Sequence, residues 1–156
     1  MKMETESKAC ILYVDDEANN LNSFFASFRR HYEVFVTNNA DGAKKILSEN
    51  TIHVLLSDQR MPGILGTTLL EYAEEKYPGQ VRILISGYSD YRSLMLAVQK
   101  GHIIDFVEKP WDVDDLKRRI DYAYKVYCGN REQEMKKAAT DEANKLDDEE
   151  IKKLLL

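Results

Sequence analysis

Four short apolar runs in this chain each end on a residue that could do chemistry. Cys10–Val14 stops at Asp15-Asp16-Glu17, and Val54–Leu56 leads through Ser57 into Asp58. Val81–Ile85 ends at Ser86-Gly87, and Asp105–Glu108 ends at Lys109-Pro110. If these ends meet, three carboxylates, a hydroxyl and an ammonium share one small space. Carboxylates at close quarters repel, so such a cluster normally holds a cation, and a few carboxylates with waters suit Mg²⁺, which engages phosphate oxygens. A lysine supplies a point charge for an anion and a serine one hydrogen bond. Metal, lysine and hydroxyl around one carboxylate make a site for a phosphoryl group on that carboxylate, since Asp can accept one covalently. Metal and lysine would stabilise the charge on the equatorial oxygens during in-line transfer. Taken alone, Asp58 could simply start the turn at Met61-Pro62-Gly63; the other three run ends decide against that. His31, His53 and His102 are scattered at element edges, where surface or capping roles fit better than catalysis.

The elements that must position these residues follow from periodicity. Cys10–Val14, Glu33–Thr37, Val54–Asp58, Val81–Ile85 and Asp105–Glu108 read as strands. Between them, helical spacing is expected over Ala18–Arg30 (inner face Leu21, Phe24, Phe25, Phe28), Ala40–Ser48 (Ala43, Ile46, Leu47), about Thr67–Lys76, and Asp90–Lys100 (Leu94, Ala97, Val98). Gly101 stands at the C′ position of the fourth helix. Asp112 is placed to cap a last helix whose inner face carries Val113, Leu116, Ile120 and Ala123. The chain runs as a loop from Asp58 through Gly66. Strands alternating with helices through short connections mean right-handed βαβ units and a parallel sheet covered on both faces, which the nearly continuous apolar strands require. The expected fold is α/β, a flavodoxin-like (βα)5 doubly wound five-stranded parallel sheet in the order 2-1-3-4-5. In that order the four loaded strands are contiguous, and the second strand, ending in Thr37-Asn38, lies outermost.

Composition narrows the function. A net charge of −5 argues against sequence-independent nucleic-acid binding, and no run approaches the roughly 18 apolar residues of a membrane span. Met1–Lys8 is polar and acidic, unlike a secretory signal. Cys10 and Cys128 lie far apart and fit no metal spacing; Cys10 sits in an apolar run, as a small buried hydrophobe would. A reducing cytoplasm is the expected setting. Cys128-Gly129-Asn130 reads as a helix-ending signal, followed by a charged, helix-favouring segment, Arg131–Lys153, with a thin stripe of Met135, Ala139, Ala143 and Leu146, then Ile151 and Leu154-Leu155-Leu156. Two domains of unequal weight result: residues 8–127, and a C-terminal helical extension or linker over 128–156, either solvated, or packing on a partner or its twin, or leading into a further domain.

The set Asp15-Asp16, Asp58 with Met61-Pro62-Gly63, Ser86-Gly87 and Lys109-Pro110 resembles the receiver domain of bacterial two-component response regulators. The resemblance covers about residues 8–127. It implies that Asp58 is the phosphoacceptor, that Asp15, Asp16 and Asp58 hold Mg²⁺ together with the backbone carbonyl of Arg60, and that Ser86 and Lys109 engage the phosphoryl group. It also implies a cis Lys109–Pro110 bond and a switch made of Ser86 and Phe106, where Phe stands in place of the frequent Tyr and lacks its hydroxyl. Phe106 serves either as that moving group or as core packing. Gly87 leaves space beside the phosphoryl site. The stretches around Asp58, Ser86-Gly87-Tyr88 and Lys109-Pro110-Trp111-Asp112 are most similar to receivers joined to output domains.

The implied function is a response regulator receiver, cytoplasmic and not a turnover enzyme. It would be phosphorylated by a histidine kinase or histidine phosphotransfer protein and signal to a downstream effector or output domain through the face formed by the fourth helix, fifth strand and fifth helix. A homodimer is possible, and direct nucleic-acid contact by this chain is not expected. Two alternatives compete. A phosphorylation-independent interaction or dimerisation module typically lacks one member of the acidic, hydroxyl and lysine set, which is complete here. A phosphatase with an Asp nucleophile commonly carries a second Asp two residues on, where this chain has Arg60.

Overall fold

The structure is a computed structural model describing residues 7–87 and 91–154. The expected helix start at Asp90, together with Tyr88, Leu155 and Leu156, lies outside the described residues. Five strands form one parallel sheet: β1 (Cys10–Val14), β2 (Glu33–Thr37), β3 (Val54–Asp58), β4 (Val81–Ser86) and β5 (Asp105–Glu108). Their order is β2-β1-β3-β4-β5, as the alternation of elements predicts. The helices are α1 (Ala18–Phe28), α2 (Ala40–Glu49), α3 (Gly66–Lys76), α4 (Tyr91–Gln99) and α5 (Val113–Leu154).

Because strand side chains alternate between faces, the sheet builds two cores. Ile11, Tyr13, Val54, Leu56, Ile83, Ile85 and Val107 meet Leu21, Phe24 and Phe28 of α1 and Leu116, Ile120 and Ala123 of α5. On the other face, Leu12, Val14, Leu55 and Leu84 meet Ala43 and Leu47 of α2 and Leu69, Leu70 and Ala73 of α3. Asp112 caps α5 as expected, its Oδ1 accepting the Asp115 N–H at 2.9 Å. Gly101 has φ +74°, the left-handed conformation of a C′ glycine.

Three expected inner-face residues are exposed: Phe25, Val98 and Val113. Each lies one helical step outside the buried stripe. Phe24 and Ala97 take the inward positions beside Phe25 and Val98, and Val113 sits in the first turn before α5 reaches the sheet. Ile46 is only partly buried, against the α2–α3 core. Cys10 is likewise not a buried hydrophobe. It is half-buried at the foot of β1 opposite Glu33, and its thiol donates to that carboxylate at 3.3 Å. Burial, then the Glu33 bond and charge, push its pKa up to about 11.

Two departures concern whole elements. The expected loop from Asp58 to Gly66 contains a miniature antiparallel hairpin, Arg60–Met61 with Ile64–Leu65, turned by Gly63 at φ +85°. Cys128-Gly129-Asn130 does not end the last helix, and α5 runs unbroken for 42 residues. A glycine in a helix interior costs about 1 kcal/mol relative to Ala, too little to stop a helix flanked by good helix formers and with no proline after it. The Arg131 guanidinium also donates to the Tyr127 hydroxyl at 3.2 Å, spanning Gly129. Met135, Ala139 and Ala143 of the expected stripe are exposed; the side chains of Leu146 and Ile151 lie outside the described set. An added Cβ at Gly129 meets nothing within 4 Å, so Gly129→Ala is expected to stabilise this helix by up to about 1 kcal/mol. Circular dichroism of the extension through a thermal melt checks this.

Candidate functional site

Register brings the chemistry together. Val14 pairs with Ser57, so Asp15 and Asp58 emerge side by side from β1 and β3. Asp58 pairs with Ile85, which sets Ser86 one residue beyond it on β4, and Ser86 pairs with Glu108, so Lys109 follows one residue further on. Backbone bonds extend the ladder past the strand ends: Gln59 N–H to Ile85 O at 3.0 Å, and Lys109 N–H to Ser86 O at 2.9 Å. Lys109–Pro110 is cis.

Asp15 and Asp58 are buried, at 0% and 7% exposure, whereas Asp16 is exposed. One oxygen from each of the three lies within 4.8 Å of the others. Lys109 Nζ bridges the buried pair, 2.8 Å from Asp15 Oδ2 and 3.2 Å from Asp58 Oδ1. Burial pushes the Asp15 pKa up, but hydrogen bonds from Lys109, Tyr13 and the Glu17 N–H outweigh it and hold the carboxyl below the ordinary range. At Asp58 burial wins, helped by the charge of Asp15 and opposed by Lys109, and its pKa is raised. Burial lowers the Lys109 pKa, yet its two carboxylate partners more than offset this and keep it charged. Three carboxylates thus gather where the Lys109 ammonium bridges two of them, an all-oxygen donor set that fits a hard divalent cation such as Mg²⁺.

The other expected residues take different stations. Ser86 is buried at the end of β4, its hydroxyl donating to the Gly87 carbonyl at 3.3 Å. An added Cβ at Gly87 meets nothing within 4 Å. Phe106 is half-buried against the α2–α3 core and stands opposite Leu84. The Arg60 side chain is exposed at the start of the hairpin. His53 accepts the Cys10 N–H at 2.9 Å and packs on Tyr124 and Tyr127, and His102 pairs with Glu74; both are structural.

Sequence reasoning missed four supporting residues. Tyr13 donates its buried hydroxyl to Asp15, and Asn20 donates to the same oxygen at 3.1 Å. Tyr13 stands two residues before Asp15, hence on the same face of β1, and period-two spacing alone could have found it. Gln59 caps α3, its Oε1 accepting the Thr67 N–H at 2.9 Å. Gly66 packs its α-carbon against the Asp58 carbonyl. These last two contacts close over the hairpin and carry no sequence signal. Beside Lys109 a hollow of about 440 Å³ opens, lined by Glu17, Asn20, Ser23, Pro110 and Trp111.

The sheet order, and the edge on which the charge gathers, define the class of protein: a two-component signalling receiver. The match is more particular. The profile of the response regulator receiver domain fits residues 11–121, and the chain belongs to that family. It is 34% identical over 124 residues to the hydrogenase transcriptional regulatory protein HoxA of Bradyrhizobium diazoefficiens, covering 80% of this chain and 26% of that protein. The chain therefore spans about a quarter of the length of that relative. Among solved structures it is similar to the signal receiver domain of an HD domain-containing protein from Pseudomonas fluorescens Pf-5 (TM-score 0.77, 25% identical, 84% of this chain and 97% of that one). It is also similar to the response regulator TrrA of Thermotoga maritima in complex with Mg²⁺–BeF (TM-score 0.66, 27% identical, 74% and 98%). No helix among the described residues is long and apolar enough to cross a membrane.

Proposed function

We propose that this chain is a phosphorylation-controlled switch in which Asp58 accepts a phosphoryl group from a histidine kinase or histidine phosphotransfer protein. The observation that carries this reading is the Lys109 ammonium set between the buried carboxylates of Asp15 and Asp58. Asp15, Asp16, Asp58 and the Arg60 carbonyl would hold Mg²⁺, which when bound supplies positive charge to the phosphoryl oxygens. The Asp58 carboxylate attacks phosphorus, forming an O–P bond as the P–N bond of the donor phosphohistidine breaks and the electron pair leaves with the imidazole. Lys109 then pairs with a phosphoryl oxygen, and Ser86 donates its hydroxyl to another. The hollow between α1 and the Lys109–Trp111 turn supports approach of a donor from that side. The chain is consumed and reset rather than turning over a substrate, and it acts in the cytoplasm.

The signal would leave through α4, β5 and α5. If Ser86 moves toward the phosphoryl group, Phe106 turns into the space it vacates. Full burial of a Phe is worth roughly 1.5–3 kcal/mol, less than the ~5.5 kcal/mol that inverts a 1:99 equilibrium. Phe106 therefore acts with Ser86, Lys109 and the segment before α4. Arg119 links the strand to the helix, donating to Asp105 at 2.7 Å and to the Phe106 carbonyl at 3.3 Å. Met95, Val98, Ile104 and Tyr122 are exposed on these elements, which supports docking of an effector, an output domain or a second copy there. Residues 8–127 would form the receiver and 128–156 the helical extension that feels the change.

Incubation with a phosphohistidine donor, with and without Mg²⁺, tests the reading. Mg²⁺-dependent transfer followed by slow phosphate release is expected. Absence of transfer would mark a phosphorylation-independent interaction module, and continuous phosphate release with turnover would mark a phosphatase.

A further inference from the structure

Asp15 is engaged by more donors than its neighbours, and they are unevenly shared. Among the described residues, Oδ2 accepts from the Tyr13 hydroxyl, Asn20 Nδ2 and Lys109 Nζ, while Oδ1 accepts the Glu17 N–H alone, at 2.9 Å. A carboxylate oxygen offers about two lone pairs, so Oδ2 is saturated and Oδ1 retains open capacity. Of the three Oδ2 donors, Tyr13 is the one that cannot turn away. Its ring is fully buried, 4.4 Å from Phe24 and edge-on to Trp111 at 5.6 Å. Trp111 in turn follows the Lys109–Pro110 corner, so the same ring contacts the segment that carries Lys109.

We propose that Tyr13, acting with Asn20 through Oδ2 of Asp15, is a positioning residue of the acidic pocket, fixing that carboxylate so that Oδ1 is the oxygen it offers to a divalent cation. This rests on the proposed Mg²⁺ site. Hydrogen-bond partners of ligating carboxylates set ligand orientation, and losing one typically weakens metal affinity by about 10–100-fold. With Lys109 and Asn20 still in place, Tyr13→Phe should sit at the lower end, weakening Mg²⁺ binding by about tenfold.

The test is calorimetric titration of the full chain with MgCl₂, without a phosphodonor. Tyr13→Phe keeps the ring and its aromatic contacts. Tyr32→Phe is the control: Tyr32 is another buried phenol of the same aromatic cluster, donating to Asp121 rather than to the pocket. The expected result is about tenfold weaker binding for Tyr13→Phe, wild-type affinity for Tyr32→Phe, and similar metal-free melting temperatures for the two. Asn20→Ala removes a second donor to the same oxygen from outside the core; it should also weaken binding, and it reads the proposal if Tyr13→Phe is too unstable to titrate. Wild-type affinity in Tyr13→Phe, or in Asn20→Ala where that variant stands in, would overturn the positioning role while leaving the site itself intact. Equal weakening in Tyr32→Phe would also overturn it, by tracing the effect to general loosening. A wild type that binds no Mg²⁺ would overturn the metal site and this role together.

Discussion

Asp58→Ala is expected to abolish phosphorylation of this chain by small phosphodonors in the presence of Mg²⁺. Intact-mass measurement should show one added phosphoryl group on the wild type and none on the variant. The geometry supplies no substitute nucleophile among the three carboxylates. Asp15 is saturated on one oxygen and hydrogen-bonded on the other, and the bonds that hold its pKa low also make it a poor nucleophile. Asp16 is exposed, outside the reach of the Lys109 bridge. Asp58 shares burial and the Lys109 contact with Asp15 but has a raised pKa, hence a more basic carboxylate. Full labelling of Asp58→Ala would place the acceptor elsewhere.

Gly66→Ala is expected to be the most damaging of the small substitutions. A Cβ there would lie 2.1 Å from the Asp58 carbonyl oxygen, 2.9 Å from its carbon and 3.0 Å from the Gln59 α-carbon. All three are backbone atoms that no rotamer change can move. The first turn of α3 is also tied to this segment by Gly66 N–H to Gln59 O at 2.8 Å and by the Gln59 cap on Thr67. Relief therefore means shifting either the helix or Asp58. Overpacking of this kind costs about 3 kcal/mol at its upper end, a fall of about 6–12 °C in melting temperature for a chain of this size. Gly79→Ala, where an added Cβ meets nothing within 4 Å, should melt close to wild type. Equal melting of Gly66→Ala and wild type would mean that α3 does not abut Asp58 as described.

What was legible beforehand has a physical pattern. Strands β1, β2, β3 and β5 fall on their expected residues because buried parallel strands are short apolar runs cut off by polar ones. Parallel pairing in the order 2-1-3-4-5 then forces Asp15, Asp58, Ser86 and Lys109 to one edge. Helix faces were read less well. Phe25, Val98 and Val113 are apolar and nearly in phase, and only the position of the sheet decides that they stay outside. Gly129 misled because its helix-ending preference is weak beside the pull of the flanking helix formers. Gln59 and Gly66 were invisible for another reason: their partners are fixed by how the hairpin folds back, a tertiary event without local periodicity. Tyr13 is a different case, since a tyrosine in an apolar strand reads as core until its hydroxyl is given a destination.

The unbroken α5 has a mechanical consequence. At 1.5 Å per residue, its 42 residues make a rod about 60 Å long. Its first turns are clamped to the sheet by Leu116, Ile120, Ala123 and Arg119, while the described side chains of its far half are exposed. It is thus a lever with its fulcrum beside Phe106. A tilt of about 5° at the clamp swings the far end by about 5 Å, the rise of one helical turn. A motion that is small within the receiver would thus be a sideways displacement of several ångströms at the tip.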